Sequence, residues 1–407
     1  MPGAVSSGVA LLERMRRNLA GRVAERRQPH PRAGDEFRAA LFFSGTPGQV
    51  YQARQWLWPL EQLDISLGEG SVVLLVRDPL AAHALAEETH LAVRTVRRAS
   101  DLGVALGQRS LALVMYPNQA VGNFAAIGFP RPAHVHLSHG ESEKVSMVSN
   151  KLKAYDKVFV AGDAARERIA KALVPPLPHS EFAIGRPQAD EPSMVPSSFL
   201  AFDGVTVLYS PTWEGESAEM SYSSVASAGL EIVKGIDSLG YRVLYRPHPQ
   251  LGTLSGVARA ADASIQAWLE SRPLPHVIDT GIDFGWQLRS ADVVVSDMSA
   301  VAFDSLAWGT PLTLVHPGSD AWIAPDSLFD KVPVVHSNGV DAASVILKLL
   351  REDPEITLRQ QELARSYFGQ TAPGEQIRRY LEACTKTMAE RQQYWLELGW
   401  LAQNQQD

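Results

Sequence analysis

Short apolar runs alternate with helix-length stretches along most of this chain, and that alternation restricts its fold more than any other feature. Residues 39–43, 72–76, 91–96, 111–115, 134–137 and 157–160 make one set of runs. Several are apolar throughout, as in parallel strands covered on both faces. The stretches between them, such as 49–62 and 79–88, read as helices. Strand, helix and strand in repetition imply a doubly wound α/β unit. The pattern fails between residues 185 and 204, where Pro187, Pro192, Pro196 and Gly204 crowd together with several serines. It resumes with runs at 205–209, 242–245, 276–278, 292–295 and 312–315. From about Pro373 the chain reads as helical, with Tyr394, Trp395 and Trp400 expected to pack on the body.

The expected layout is therefore α/β throughout. A basic arm (1–35) precedes an N-terminal Rossmann-like domain (36–186). A linker (187–204), a second Rossmann-like domain (205–368) and a helical tail (369–407) follow. Ligands of open α/β sheets sit beyond the carboxyl ends of the strands, so two facing units should form a cleft lined by those ends. Composition removes several alternatives. The single cysteine, Cys384, excludes a disulfide framework within the chain and a cysteine-rich zinc site. No apolar run approaches the ~20 residues needed to span a bilayer, and the start of the chain has no signal-peptide core. The expected location is the cytoplasm.

Net charge is −7, unevenly spread. Residues 11–32 carry Arg14, Arg16, Arg17, Arg22, Arg26, Arg27 and Arg32 against Glu13 and Glu25, and the remaining body is acidic. An acidic body argues against nucleic acid as the main partner. Leu12, Met15, Leu19 and Val23 recur at helical period within the arm. Such a helix either lies on an anionic membrane surface or docks on its own protein.

Four segments at strand ends carry the residues suited to chemistry. His134 and His136 share a strand face ahead of His139, Gly140, Glu141 and Lys144. A loop histidine is a ready general base, and Lys144 can hold an anion nearby. Zinc on the His-x-His pair is the competing reading, although no complete ligand set accompanies it. Ser210-Pro-Thr212-Trp213 brings hydroxyls to a strand end. Arg246-Pro-His248-Pro fixes a histidine between two prolines. Ser296-Asp297-Met-Ser299-Ala300 joins a strand to a helix whose N-terminus would attract phosphate. Asp297 would repel a phosphate, which places it on the cap or on a sugar hydroxyl. Each segment alone also fits an ordinary turn or cap.

Together with Gly185-Arg-Pro-Gln-Ala-Asp190, these segments resemble the CDP-glycerol glycerophosphotransferase family, the teichoic-acid and capsule polymerases of GT-B fold. That family carries His-Gly, Gly-Tyr-Pro-Arg-Asn-Asp, Ser/Ala-Pro-Thr-Trp, Arg-x-His-Pro and Ser-Asp-Tyr-Ser-Ser segments in the same order. Five short motifs in one order are more specific than any one of them. The resemblance implies transfer of a polyol phosphate from a CDP-linked donor to a hydroxyl of a polymeric or lipid-linked acceptor, with release of CMP; the cations and the helix terminus can supply the positive charge, so no metal or cofactor is expected. It implies that His139 is the base that deprotonates the acceptor hydroxyl, with Lys144 a second catalytic residue holding an anionic group nearby and Gly140 and Glu141 on the acceptor side. Ser210, Thr212, Arg246, His248, Ser296, Asp297, Ser299 and Ala300 would hold the donor. The enzyme would work in the cytoplasm, peripheral on the inner membrane face. The chain departs from the family where Glu141-Ser-Glu143-Lys144 replaces Thr-Pro and a lysine, and where Met298 replaces an aromatic residue, as a divergent branch would. A nucleotide-sugar glycosyltransferase and a catalytically silent nucleotide-binding protein are the alternative readings.

Overall fold

The computed structural model describes residues 21, 23–24, 29–138, 140–141, 148–175, 181–215, 221–281, 284–317, 323, 325–336, 339–351 and 353–400. Most of the basic arm lies outside them. Two parallel sheets carry the fold. The first contains β1 (Ala39–Phe43), β2 (Val72–Val76), β3 (Ala92–Thr95), β4 (Leu113–Tyr116), β5 (Ala133–His136), β6 (Lys157–Val160) and β7 (Glu181–Ala183), in the order β3-β2-β1-β4-β5-β6-β7. The second contains β8 (Thr206–Ser210), β9 (Arg242–Tyr245), β10 (Val277–Ile278), β11 (Val293–Ser296), β12 (Leu312–Val315) and β13 (Val334–Val335), in the order β10-β9-β8-β11-β12-β13. Strand order reverses between β1 and β4 and again between β8 and β11. Those switch points open the crevices where α/β sheets take ligands. β1, β2, β4, β8, β9, β11 and β12 are buried at every position, which explains their predominantly apolar sequences.

Two strands escaped the sequence pattern. β7 and β13 are short edge strands of three and two residues, and β7 is half-exposed along its length. They present too little apolar sequence to show a period. The helix expected over 49–62 is broken into Tyr51–Arg54 and Leu57–Leu67. Pro59 falls in the first turn of the second piece, where its missing N–H costs nothing; farther inside a continuous helix it would break a bond. Trp56 fills the junction and spends its indole N–H on the Ser138 carbonyl at 2.7 Å.

The C-terminal segment is integral to the first unit. The helix Glu375–Glu397 returns to the first sheet and adds Tyr380, Ala383, Cys384, Met388 and Trp395 to its core. Each large side chain buried this way contributes about 1.5–3 kcal/mol, enough for the helix to be part of the fold. Trp395 also donates from Nε1 to the Arg131 carbonyl at 2.9 Å, and the Arg131 guanidinium lies over both its ring and that of Trp400. Tyr394, expected to pack, is 58% exposed. One residue from Trp395 on a helix, it turns away from the face that Trp395 buries. Among the described residues no helix is long and apolar enough to cross a membrane.

Candidate active site

The carboxyl ends of β8, β9 and β11 bring three of the four singled-out segments together. The Ser296 hydroxyl donates to the Ser210 carbonyl at 2.8 Å, and Ser210 Oγ donates to the Arg246 carbonyl at 3.3 Å. Asp297 is fully buried, and its Oδ2 accepts from the backbone N–H groups of Thr212 (2.8 Å) and Ser224 (3.1 Å). Asp297 therefore ties the Thr212 loop to the β11 turn. Ser299 is the N-cap of the helix Ala300–Trp308, yet its side chain caps none of the first-turn amides; its Oγ lies 3.3 Å from Ser296 Oγ. The helix thus begins with amides that its own N-cap side chain leaves to other acceptors, at the positive end of the helix dipole.

Arg246 and His248 follow β9. The Arg246 guanidinium pairs with Asp279, donates from Nη2 to the Gly281 carbonyl at 3.2 Å, and lies over the Phe284 ring. His248 stacks on Trp213 with centroids 6.1 Å apart and meets the Tyr51 ring edge-on at 6.5 Å. Tyr51 belongs to the first unit, so this histidine spans the space between the sheets. Its Nδ1 accepts from the Gln250 N–H at 3.1 Å, which leaves the proton of a neutral ring on Nε2. Glu214 also fixes this loop, accepting from the N–H groups of Gly252 (2.9 Å), Leu254 (2.8 Å) and Ser255 (2.8 Å). Partial burial pushes its carboxyl up, but those backbone donors outweigh it and hold the group below the usual carboxylate range. Glu214 and Asp279 were not among the residues expected from sequence. Their only signal was position, one directly after Ser-Pro-Thr-Trp and the other just past β10.

On the opposite side, β5 ends at His136 and the chain turns at Ser138. Ser138 has a φ of 66°, a left-handed conformation that costs a non-glycine residue energy. The Trp56 indole and a bond from Ser138 Oγ to the Gly140 carbonyl at 3.0 Å hold it there. Gly140 then packs against the start of the Ala300–Trp308 helix: a Cβ built on it would stand 3.0 Å from the Ala300 Cβ. The first-unit turn and the second-unit helix terminus thus meet across the cleft. Glu141 is buried and paired with Arg168. His139 and Lys144 lie outside the described residues. His134 is a structural residue: Tyr116 Oη lies 2.7 Å from its Nδ1 and the Phe129 carbonyl 2.8 Å from its Nε2.

The Gly185-to-Asp190 segment joins the units. A Cβ at Gly185, where φ is 73°, would stand 2.5 Å from Arg379 Nη2 and 2.8 Å from Gln376 Oε1, so only glycine fits. Arg186 reaches across to Asp304 on the Ala300–Trp308 helix. Its Nε lies 2.8 Å from Oδ1, poorly aligned for a hydrogen bond, and its Nη2 donates to Oδ2 at 3.2 Å. The same guanidinium donates to Gln55 at 2.6 Å, and the Arg186 N–H donates to Gln376 at 2.7 Å. Asp190 accepts from the N–H groups of Gly374, Gln376 and Ile377, at 3.0, 2.9 and 2.8 Å, where the last helix begins.

No protein-family model matches the sequence, and no curated protein matches it. Solved structures do match in fold. A candidate UDP-N-acetylglucosamine 2-epimerase from Listeria monocytogenes superposes with a TM-score of 0.60 at 14% identity, over 87% of this chain and 97% of that one. The UDP-GlcNAc 2-epimerase of Neisseria meningitidis, bound to UDP-GlcNAc, gives 0.56 at 14% identity, over 86% and 100%. The wall teichoic acid polymerase TagF, soaked with CDPG, gives 0.56 at 12% identity, over 95% and 97%. The fold is GT-B. The sequence resemblance drawn from the five motifs therefore has a counterpart in shape, since TagF is among the structures this chain is similar to.

In this GT-B frame, the site offers an uncapped helix terminus, a rigidly held histidine and a paired arginine on one side, and a strained turn on the other. Free amides and cationic side chains are groups of the kind that bind a diphosphate, and the strained turn sets Gly140 against the same helix terminus.

Proposed function

We propose that this chain is a transferase that moves a polyol phosphate of the glycerol-phosphate type from a CDP-linked donor to a hydroxyl of a cell-envelope polymer or its lipid-linked primer. The contact between Gly140 and Ala300 carries the reading. It sets Gly140 of the first unit against the helix N-terminus of the second, where on this reading donor and acceptor meet. In the proposed reaction, His139 takes the proton of the acceptor hydroxyl. The new oxygen–phosphorus bond forms as the bond to the CMP oxygen breaks, and CMP leaves with the electron pair. The amides at Ala300, the hydroxyls of Ser296 and Ser299, and His248 neutralise charge on the phosphates. Among the described residues Arg246 gives two of its five N–H groups to Asp279 and Gly281, and on this reading others serve a donor oxygen. Ser210, Thr212 and Asp297 hold the loops from which these groups project. The basic arm supplies attraction to an anionic membrane bearing the acceptor.

Incubation with CDP-glycerol and with a panel of nucleotide sugars tests the proposal. It expects CMP from CDP-glycerol and no nucleoside diphosphate from any sugar donor. Release of a nucleoside diphosphate would establish a glycosyltransferase instead, and no turnover with any donor would leave only a binding protein.

A further inference from the structure

A cavity of about 60 Å³ lies between the carboxyl ends of β5, β6 and β7 and the helix Asp163–Ala172. A buried water needs ~10–15 Å³ on this measure, so the space holds roughly four to six water-sized groups. Phe159, Ile169 and Ile184 form an apolar floor, and Glu141, Arg168 and Gln188 supply polar atoms. Gln188 is 7% exposed, yet among the described residues neither its Oε1 nor its Nε2 has a hydrogen-bond partner. Arg168 Nε is buried and equally unpartnered. Leaving such groups unsatisfied costs about 1–3 kcal/mol each, so a folded chain tolerates three in one cavity only where something else pairs them.

The charges decide what that partner is. Glu141 and Arg168 neutralise each other, and Arg186, which also lines the cavity, is neutralised by Asp304. Among the described residues lining the cavity, both the Arg168 and the Arg186 charges are thus matched by carboxylates. A glutamine amide presents a donor beside an acceptor, which neighbouring hydroxyls match; a phosphate oxygen would meet Oε1 as acceptor against acceptor. The apolar floor suits the C–H face of a sugar ring or polyol chain.

We propose that this cavity seats an uncharged, hydroxyl-bearing end of the acceptor, a carbohydrate or polyol group, with Gln188 as its principal hydrogen-bonding residue. The cavity is also lined by Ser138 and Gly140, and Gly140 abuts Ala300, so a hydroxyl at its mouth lies beside the helix terminus assigned to the donor phosphate. The assignment to an acceptor rests on the transferase reading above; the chemistry of the ligand does not.

Binding of methyl glucoside, N-acetylglucosamine, glycerol 3-phosphate and CMP to the full chain, measured by calorimetry and saturation-transfer NMR, provides the test. Gln188→Leu and Ala165→Phe are the variants, the second filling the cavity from the helix. The neutral probes should bind saturably to the wild type. Loss of the glutamine contacts should weaken them by about tenfold or more, and the filled cavity should abolish them, with CMP affinity unchanged. Gln188→Leu should melt no lower than the wild type, because it removes buried unpaired atoms. Tighter binding of glycerol 3-phosphate than of the neutral probes, glycoside binding unaltered in both variants, or no saturable glycoside binding at all would each overturn the proposal. Glycoside binding without CMP binding would keep the cavity and remove the transferase reading, whereas CMP binding without glycosides would do the reverse.

Discussion

Replacing Asp304 with asparagine should destabilise this protein far more than any surface change. Arg186 and Asp304 have side chains only 6% and 2% exposed. Burial pushes the Asp304 carboxyl up and the Arg186 guanidinium draws it back down, with burial the larger effect. The pair is therefore poor evidence of net stabilisation, but breaking it is another matter. Asp304→Asn would leave the arginine charge in a dry environment with Gln55 as its remaining side-chain partner. Removing one member of a buried pair costs about 3–5 kcal/mol. At ~2–4 °C per kcal/mol for a unit of this size, the melting midpoint should fall by roughly 6–20 °C. The double variant Arg186→Met/Asp304→Leu removes both charges and should recover most of that loss. Asp163→Ala, which breaks an exposed pair with Arg166, is the control and should leave the midpoint where it is. Differential scanning calorimetry and urea titration measure all four proteins. If Asp304→Asn stays within ~1 kcal/mol of the wild type, the ion pair does not hold the units together and the reasoning fails.

His139→Ala should lower turnover about 10²–10⁴-fold while CMP binding changes little, the usual size of a general-base contribution; near-normal turnover would remove His139 from the base role. Acid should destabilise the fold through His134 and His276, both lowered by burial from the ordinary value of 6.5 despite partners that raise them. His276 accepts from the Val243 N–H at Nδ1 and donates to Asp237 from Nε2, so a second ring proton would face a donor. With both folded values depressed, stability is complete above pH ~6.5 and declines as pH falls below it, by up to ~1.4 kcal/mol per unit per histidine. Urea midpoints between pH 7 and 5 should show this, and His276→Gln should make the decline shallower; an unchanged slope would refute its part. Cys384 is fully buried and burial pushes its thiol up, so a thiol reagent should label it only when the last helix leaves the first core. Rapid labelling of the native chain would contradict that packing.

What the sequence disclosed follows from the range of the forces involved. Strands such as β2 and β9 were legible because each is buried at every residue and a local apolar run is all that burial requires. The ends of β8, β9 and β11 were legible because turn and cap residues mark them locally. The structural contacts of Asp297 were hidden for the converse reason. Its sequence neighbours suggest a cap or a sugar hydroxyl, and nothing local shows that its Oδ2 accepts from the N–H groups of Thr212 and Ser224, more than 70 positions away. Asp279, which pairs with Arg246, lies 33 positions on and is invisible in a four-residue motif. The last helix was expected to pack on the body through its aromatic residues, but the sequence did not show on which part of it: its core partners, Met115 and Trp56 against Tyr380, come from the far end of the chain. Arg186 is the clearest case. It stood only as one residue of the Gly185-to-Asp190 motif, and in the fold it touches Gln55, Asp304 and, through its backbone, Gln376. Local sequence places groups at strand ends, but which of those ends face one another is decided by contacts of this kind. The junction that sets Gly140 against Ala300 is therefore where a change remote from the motifs should reach the site.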